Sequence, residues 1–377
     1  MKKQRTLGEE TWMVESRTVE AGVTATGGHL WPARFRVGDR WVEPLSAAPW
    51  TQEPAARRLP AILRVLRGDF FCLPFGGNAE SWRGETHPLH GETANRRWKR
   101  EPAADAHTLH FSLRTRTRPG RVDKYISVAP GQTAIYQRHV VRGFPGPAPL
   151  GYHAMLRAEK PESLRISVGP FVRGQVPPGE LESAAAGGYS CLRPGAVFSS
   201  LKKVPRADGG RADLSVYPAR EGYEDLVMLM SDPRPRLGWT AAVDREAGWV
   251  WFNLKNPRVL RSTIFWISNG GRHMAPWNGR HRGVIGLEEV TSYFHFGLAP
   301  SVRSNPLRRA GVATCVDFTP DRALEFNTIM AMAAAPRDFD EVADIRALAG
   351  KQGVELRSVS GRRVRVPLNL EFLADPK

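Results

Sequence analysis

Cysteine is scarce: Cys72, Cys191 and Cys315 lie far apart in 377 residues, with no CxxC spacing among them. An odd, dispersed set argues against a disulfide framework and against a structural zinc site, and it suits a reducing compartment. Long apolar runs are missing too. No stretch reaches the roughly 18 apolar residues that a membrane-spanning helix needs, and MKKQRTLGEETWMVES at the start has no signal-peptide apolar region. The expected location is therefore cytoplasmic. A GxSxG elbow is absent, which removes the usual serine-hydrolase arrangement. Acidic residues are outnumbered, with 38 Asp and Glu against 54 Lys and Arg for a formal net charge of +16. The surplus falls in scattered pairs such as Arg57–Arg58, Arg96–Arg97 and Lys202–Lys203, with no helix-turn-helix, zinc-finger, RNP or KH signature beside them. That pattern points to a solvated basic surface and away from a nucleic-acid partner.

What is present reads as strand. Ala33, Phe35 and Val37 alternate with Arg34 and Arg36, and Leu109, Phe111 and Leu113 alternate with His110, Ser112 and Arg114. A period of two is that of a strand with one buried face. Residues 125–128 and 135–140 form an expected hairpin around Ala129–Thr133, and GWVWFNL and LRSTIFWIS add two strands rich in aromatic and β-branched residues. Gly188–Leu192 and Ala196–Leu201 also have strand-like composition. Two helices are expected: a short one over 54–68, with Leu59, Ile62, Leu63 and Leu66 on one face, and one from Asp338 to Gly350 carrying Phe339, Val342, Ile345 and Leu348. Many short strands, little helix, no βαβ alternation and no internal repeat predict an all-β fold, a large antiparallel sandwich with a few short helices. The expected division is an N-terminal extension over 1–18 and a single β domain over 19–377.

Chemistry-bearing residues concentrate in loops and at strand ends. The run from Leu73 to Trp98, LPFGGNAESWRGETHPLHGETANRRW, has little periodicity but holds His87, His90 and Glu92, with Gly and Pro restricting its shape. His153 in PLGYH and Glu288–Glu289 in GLEEV complete a set of imidazoles and carboxylates suited to moving protons between oxygens at neutral pH. Strand alternation sends only one of Glu288 and Glu289 into any one site. A divalent-metal site on His87, His90 and Glu92 is the alternative that the spacing permits. Arg272, Arg280 and Arg282, just ahead of Glu288, would suit a phosphorylated or acidic ligand.

In this order the segments resemble the galactose mutarotase-like family, the aldose 1-epimerases and their relatives. PLHGETANRRW is similar to the family's His-Gly signature, PLGYHAML to the segment with its second active-site His, and GLEEVTSYFHFGLAP to the strand carrying its base. LPFGGN and VTATGGHLWPARF resemble the approach to its substrate-binding turn and its opening hairpin. The resemblance covers residues from about 19 onward. It implies a supersandwich fold and a small-sugar ligand, with no metal or organic cofactor. It further implies Glu288 as base, His153 as acid and His90 as a sugar-binding support. Asn78, Arg83 and Asn278 would bind hydroxyls, while Trp98 and Trp277, together with Trp82 or Phe294, would stack on the ring. A non-catalytic carbohydrate binder of the same fold is the other reading. The chain departs from the pattern in three places: Asn78 stands where an Arg is usual, only Asp232 or Asp244 could be the substrate-binding Asp, and the Pro-Asp after the Leu-Glu strand is missing.

Overall fold

A computed structural model describes residues 2–374. Its centre is a pair of antiparallel sheets. The nine-stranded sheet runs, in spatial order, through Val216–Tyr217, Leu164–Val168, Gly238–Asp244, Trp249–Lys255, Leu324–Ala334, Ala134–Arg142, Gly120–Val128, Thr108–Thr115 and Lys99–Glu101. The seven-stranded sheet runs through Val197–Phe198, Phe171–Gln175, Tyr223–Ser231, Ser262–Asn269, Val284–Thr291, Leu150–Arg157 and Phe71–Cys72. A five-stranded sheet, Lys2–Thr6 to Arg40–Val42, contributes Val19, Val23, Leu30 and Phe35 to the core they share. Its first two strands pair in sequence order onto Val19–Thr24.

The seven-stranded sheet buries both faces, and this arrangement creates the site. Tyr152, Ala154, Leu156, Phe265, Ile285 and Leu287 point inward to the large core against the nine-stranded sheet. The residues between them point the other way: Met155, Leu226, Met228, Ile264, Trp266 and Val290 form a second core. Its cover is chain without regular sheet, including Trp50, Ala56, Ile62, Leu66, Trp277 and Leu307. A three-stranded sheet, Val342–Ala347, Gly353–Ser358 and Arg363–Pro367, caps the outer face of the nine-stranded sheet through Val342, Ile345, Val354 and Val366.

The hairpin around Ala129–Thr133 and the strands at 109–113, 249–255 and 262–269 form as their alternation predicts. The helix expected over 338–350 does not. That segment holds the strand Val342–Ala347, and its pairing slips between Val342 and Asp344. The bulge puts Val342 and Ile345, three residues apart, on one buried face, so strand spacing imitates a helical period. The helix expected over 54–68 is two pieces, a 3-10 turn at Pro54–Arg58 and one α-turn at Ala61–Arg64. Pro60, with no N–H to donate, sits between them. Gly188–Leu192 has only isolated bridges, and within Ala196–Leu201 just Val197–Phe198 pairs as strand. Among the described residues no helix is long and apolar enough to cross a membrane.

Candidate active site

His153 and Glu288 are direct cross-strand partners in the antiparallel pair Leu150–Arg157 and Val284–Thr291. Opposite residues on one face of such a pair bring their side chains together, and His153 Nε2 lies 3.2 Å from Glu288 Oε1. Both project from the outer face of the seven-stranded sheet, beside Met155 and Val290. Glu289, one residue on, points into the core between the sheets, where it meets Lys255, Thr240 and Thr263. A one-residue slip in register would exchange the two glutamates. The choice that the sequence leaves open falls to Glu288 as the cavity residue.

The Leu73–Trp98 loop supplies the third side chain. It leaves the short edge strand Phe71–Cys72 and returns alongside it, with Leu73 bridged to Gly91 and the Leu73 N–H donating to Thr93 Oγ1 at 2.9 Å. Gly91 has φ +75°, and a Cβ there would stand 2.0 Å from the Leu73 carbonyl oxygen, so only glycine closes the loop this tightly. The turn sets His90 over the sheet with its ring centroid 5.0 Å from that of His153, edge to face. The Gly76 N–H donates to His90 Nδ1 at 3.4 Å, which leaves the ring proton on Nε2. His90, His153 and Glu288 line one cavity of about 180 Å³.

Three further groups shape the site. Phe70 stacks between His153 at 4.6 Å and His29 at 4.3 Å, fixing the plane of the His153 ring. Asp69 Oδ1 accepts the His153 backbone N–H at 3.0 Å, and Asp69 Oδ2 accepts from Gln137 at 2.6 Å. His295 lines the cavity, with its carbonyl accepting the Gly77 N–H at 2.6 Å. Sequence reasoning named none of these roles. Phe70 and Asp69 precede an unremarkable apolar run, and His295 lies in a loop where no periodicity assigns direction.

Burial sets the charge state. It lowers the His153 imidazole from 6.5 to about 3 and holds His90 well below its usual value, with neighbouring imidazoles adding to the effect. Burial raises the Glu288 carboxyl well above 4.5, and Asp69 reinforces the shift. The same cause raises Asp69 to about 6 and Glu224 to about 7. Histidine and carboxyl are thus both driven toward their neutral forms. One proton shared by the Glu288–His153 pair supports either carboxyl with imidazole or carboxylate with imidazolium. The two forms differ only by transfer across the 3.2 Å contact.

These shifts predict the pH dependence of stability. His29, His153 and His281 are lowered to about 3, His295 to about 4, and His90 and His139 well below 6.5, all chiefly by burial. Below pH ~6.5 the unfolded chain protonates these groups and the folded chain does not, so their contribution is complete above ~6.5 and is lost as pH falls. Glu43, Asp69, Glu224 and Glu288 act in the opposite sense, since the folded chain holds their protons where the unfolded chain has released them. Six imidazoles outweigh four carboxyls, so Tm is expected to be lower at pH 5 than at pH 7.5. A Tm that is level or higher at pH 5 would show that these imidazoles are not held neutral.

No protein-family model matches the sequence, and no curated protein sequence matches it. Solved structures do. A candidate aldose 1-epimerase from Escherichia coli K12 superposes with a TM-score of 0.59 at 12% identity, covering 86% of this chain and 99% of that one. A galactose mutarotase related enzyme from Lactobacillus acidophilus gives 0.56 at 11%, covering 85% and 97%. A galactose mutarotase-like protein from Lactobacillus casei gives 0.56 at 12%, covering 85% and 99%. The chain has the galactose mutarotase-like fold.

Within this fold, the other residues expected at the site divide. Trp277 lines the cavity. Asn78 does not: its amide nitrogen donates to the carbonyls of Pro74, Gly76 and Pro88, and its oxygen accepts the Leu298 N–H at 2.8 Å. With every amide group engaged by backbone, Asn78 ties the loop to the segment after Glu288. Trp98 is 2% exposed in the large core, its Nε1–H donating to the Thr93 carbonyl. Arg83 and Asn278 are exposed and lie outside the cavity lining, Arg83 resting against Trp82. Asp232 pairs with Arg234, and Asp244 caps the turn at Ala247, so neither enters the cavity. The three candidate metal ligands diverge. His87 pairs with Glu85 at 3.0 Å, and Glu92 with Arg96 at 2.9 Å and the N–H groups of Arg116 and Thr117. Among the described residues no trio of His, Cys, Asp or Glu is grouped to hold a metal ion.

Proposed function

We propose that this protein is an aldose 1-epimerase-like isomerase acting on a small sugar, with Glu288 and His153 as its acid–base pair. The observation that carries the reading is their 3.2 Å contact inside a cavity that His90 also lines. Interconverting anomers requires a base for the hydroxyl on the anomeric carbon and an acid for the ring oxygen, two atoms bonded to the same carbon. Two proton carriers in contact match that demand. In the charged form of the pair, Glu288 takes the proton from the anomeric hydroxyl as the bond from the anomeric carbon to the ring oxygen breaks. His153 gives its proton to the ring oxygen, and His90 steadies the sugar. The open aldehyde turns about its first carbon–carbon bond and closes by the reverse transfers. Each cycle returns the proton it borrows, so no net uptake or release occurs.

The test is NMR exchange spectroscopy or polarimetry on an aldose with catalytic amounts of protein. The expected result is anomer interconversion faster than the buffer rate. Between the lowered His153 and the raised Glu288 the pair holds one proton, so in folded protein the rate should stay level over that interval and change only where Glu288 gives up its proton. A steep change in folded protein as pH falls from 7 toward 5, well above the lowered His153, would count against a shared proton.

Among the arginines considered for an anionic sugar, Arg272 alone lines the cavity. Arg280 pairs with Glu53 and Arg282 with Glu221. A neutral sugar is the better supported ligand.

A further inference from the structure

The cavity wall is mixed in chemistry. His90, His153, Glu288 and His295 supply its imidazoles and carboxyl. Much of the rest is aliphatic and aromatic: Ile62, Leu63 and Leu66 from the cover, Leu181 from a loop, Leu226 and Trp266 from the sheet. Arg272 is also on this wall, but its charge is already met. Its Nε lies 2.5 Å from Glu182 and its Nη1 3.5 Å from Glu224, and its guanidinium rests over Trp277 at 4.8 Å. The polar atoms of Glu224 are engaged as well, accepting from Trp266 Nε1 at 2.6 Å and Ser268 Oγ at 3.0 Å.

A fully hydroxylated pyranose with its anomeric centre at Glu288 would turn several hydroxyls toward leucine and isoleucine. Each would leave water without gaining a partner, and an unpaired buried hydroxyl is penalised. Flat tryptophan faces tolerate the C–H face of a ring, but aliphatic side chains around its edge do not replace hydrogen bonds. The volume of about 180 Å³ is below the roughly 300–1,000 Å³ of clefts for drug-sized ligands. One small ring is the natural occupant.

We propose that the site selects a deoxygenated monosaccharide, a hemiacetal sugar with hydrogen or methyl in place of one or more hydroxyls away from the anomeric carbon. This rests on the sugar reading given above and specifies its substrate class. Removing a hydroxyl relieves an unpaired polar group and adds apolar contact with Leu63, Leu181 or Leu226.

The experiment compares glucose with 2-deoxy-, 3-deoxy- and 6-deoxyglucose on the wild-type chain. Anomer exchange is read by NMR, and binding by ligand-observed NMR titration of both wild type and Glu288→Gln. At least one deoxy sugar is expected to exceed glucose by about 10- to 100-fold in kcat/KM, the range over which an apolar pocket discriminates against an added hydroxyl. The same order should appear in the binding of Glu288→Gln. Deoxy-selective binding with no exchange by wild type would sink the acid–base reading and leave this inference standing. Glucose binding as well as or better than every deoxy sugar would overturn the inference, whatever the exchange rates show. Failure of folded protein to bind any of the four would overturn both. Leu63→Asn and Leu181→Asn place an amide on the wall at partly buried positions, where folding is least at risk. Each is expected to narrow the preference several-fold, and an unchanged preference in both would also refute the proposal.

Discussion

Glu288→Gln is expected to lower the rate of anomer exchange by about 10²–10⁴-fold, the usual worth of a positioned acid–base group, while sugar binding persists. The substitution keeps the side chain's shape in a fully buried position. The amide takes the carboxyl's place 3.2 Å from His153 Nε2, so the cavity should keep its form. What disappears is a group able to accept and return a proton. Rate and binding must therefore separate: kcat falls and the dissociation constant stays within a few-fold. His153→Asn should behave alike, because it removes the partner that carries the shared proton. If both variants retain wild-type exchange, the pair is not the catalyst. If both lose binding together with rate, the contact holds the site together and does not carry the proton.

The second large effect lies one residue away and concerns stability. Glu289 Oε2 sits 2.5 Å from Lys255 Nζ in the core between the two large sheets, with both side chains almost wholly excluded from water. Lys255 also donates to the Ser262 carbonyl at 2.8 Å and to Thr263 Oγ1 at 3.0 Å. Glu289 accepts from Thr240 at 2.6 Å and Thr263 at 2.8 Å. The pair is fully hydrogen-bonded, which is the condition under which buried ions persist. Lys255→Met would strand a carboxylate and Glu289→Gln an ammonium, and each is expected to cost about 3–5 kcal/mol in denaturant unfolding. The double variant Lys255→Met with Glu289→Leu should recover much of that loss, since an apolar pair replaces the ions at little net cost. Single variants within about 1 kcal/mol of wild type would mean that water reaches this position.

Adjacent glutamates with such different roles illustrate how much of this molecule was legible. Alternation along VIGLEEVT says that Glu288 and Glu289 face opposite ways, and that much is local. Which face holds a cavity and which a core depends on the sheet packed behind. Asn78 and Trp98 have the chemistry of sugar ligands, but the loop they belong to spends one on its own backbone and the other on the core. The strand at Val342–Ala347 carries a helix-like spacing because a bulge changes the spacing of buried residues, and a bulge is a property of two paired strands. Asp69 and Phe70 became visible only once the Phe71–Cys72 edge strand paired beside the strand of His153.

By itself the sequence determined the class of the fold, because a period of two in short apolar segments is enforced by backbone geometry alone. It also determined which side chains were available for proton transfer, and that His90, His153 and Glu288 lie at loops or strands able to present them. Tertiary structure decided that the three share one cavity, that Glu288 and not Glu289 enters it, and that much of the rest of its lining is apolar. Those facts depend on register between strands far apart in sequence and on which loops cover the sheet. Both follow from packing free energy summed over the whole chain, and no local pattern of residues contains that sum.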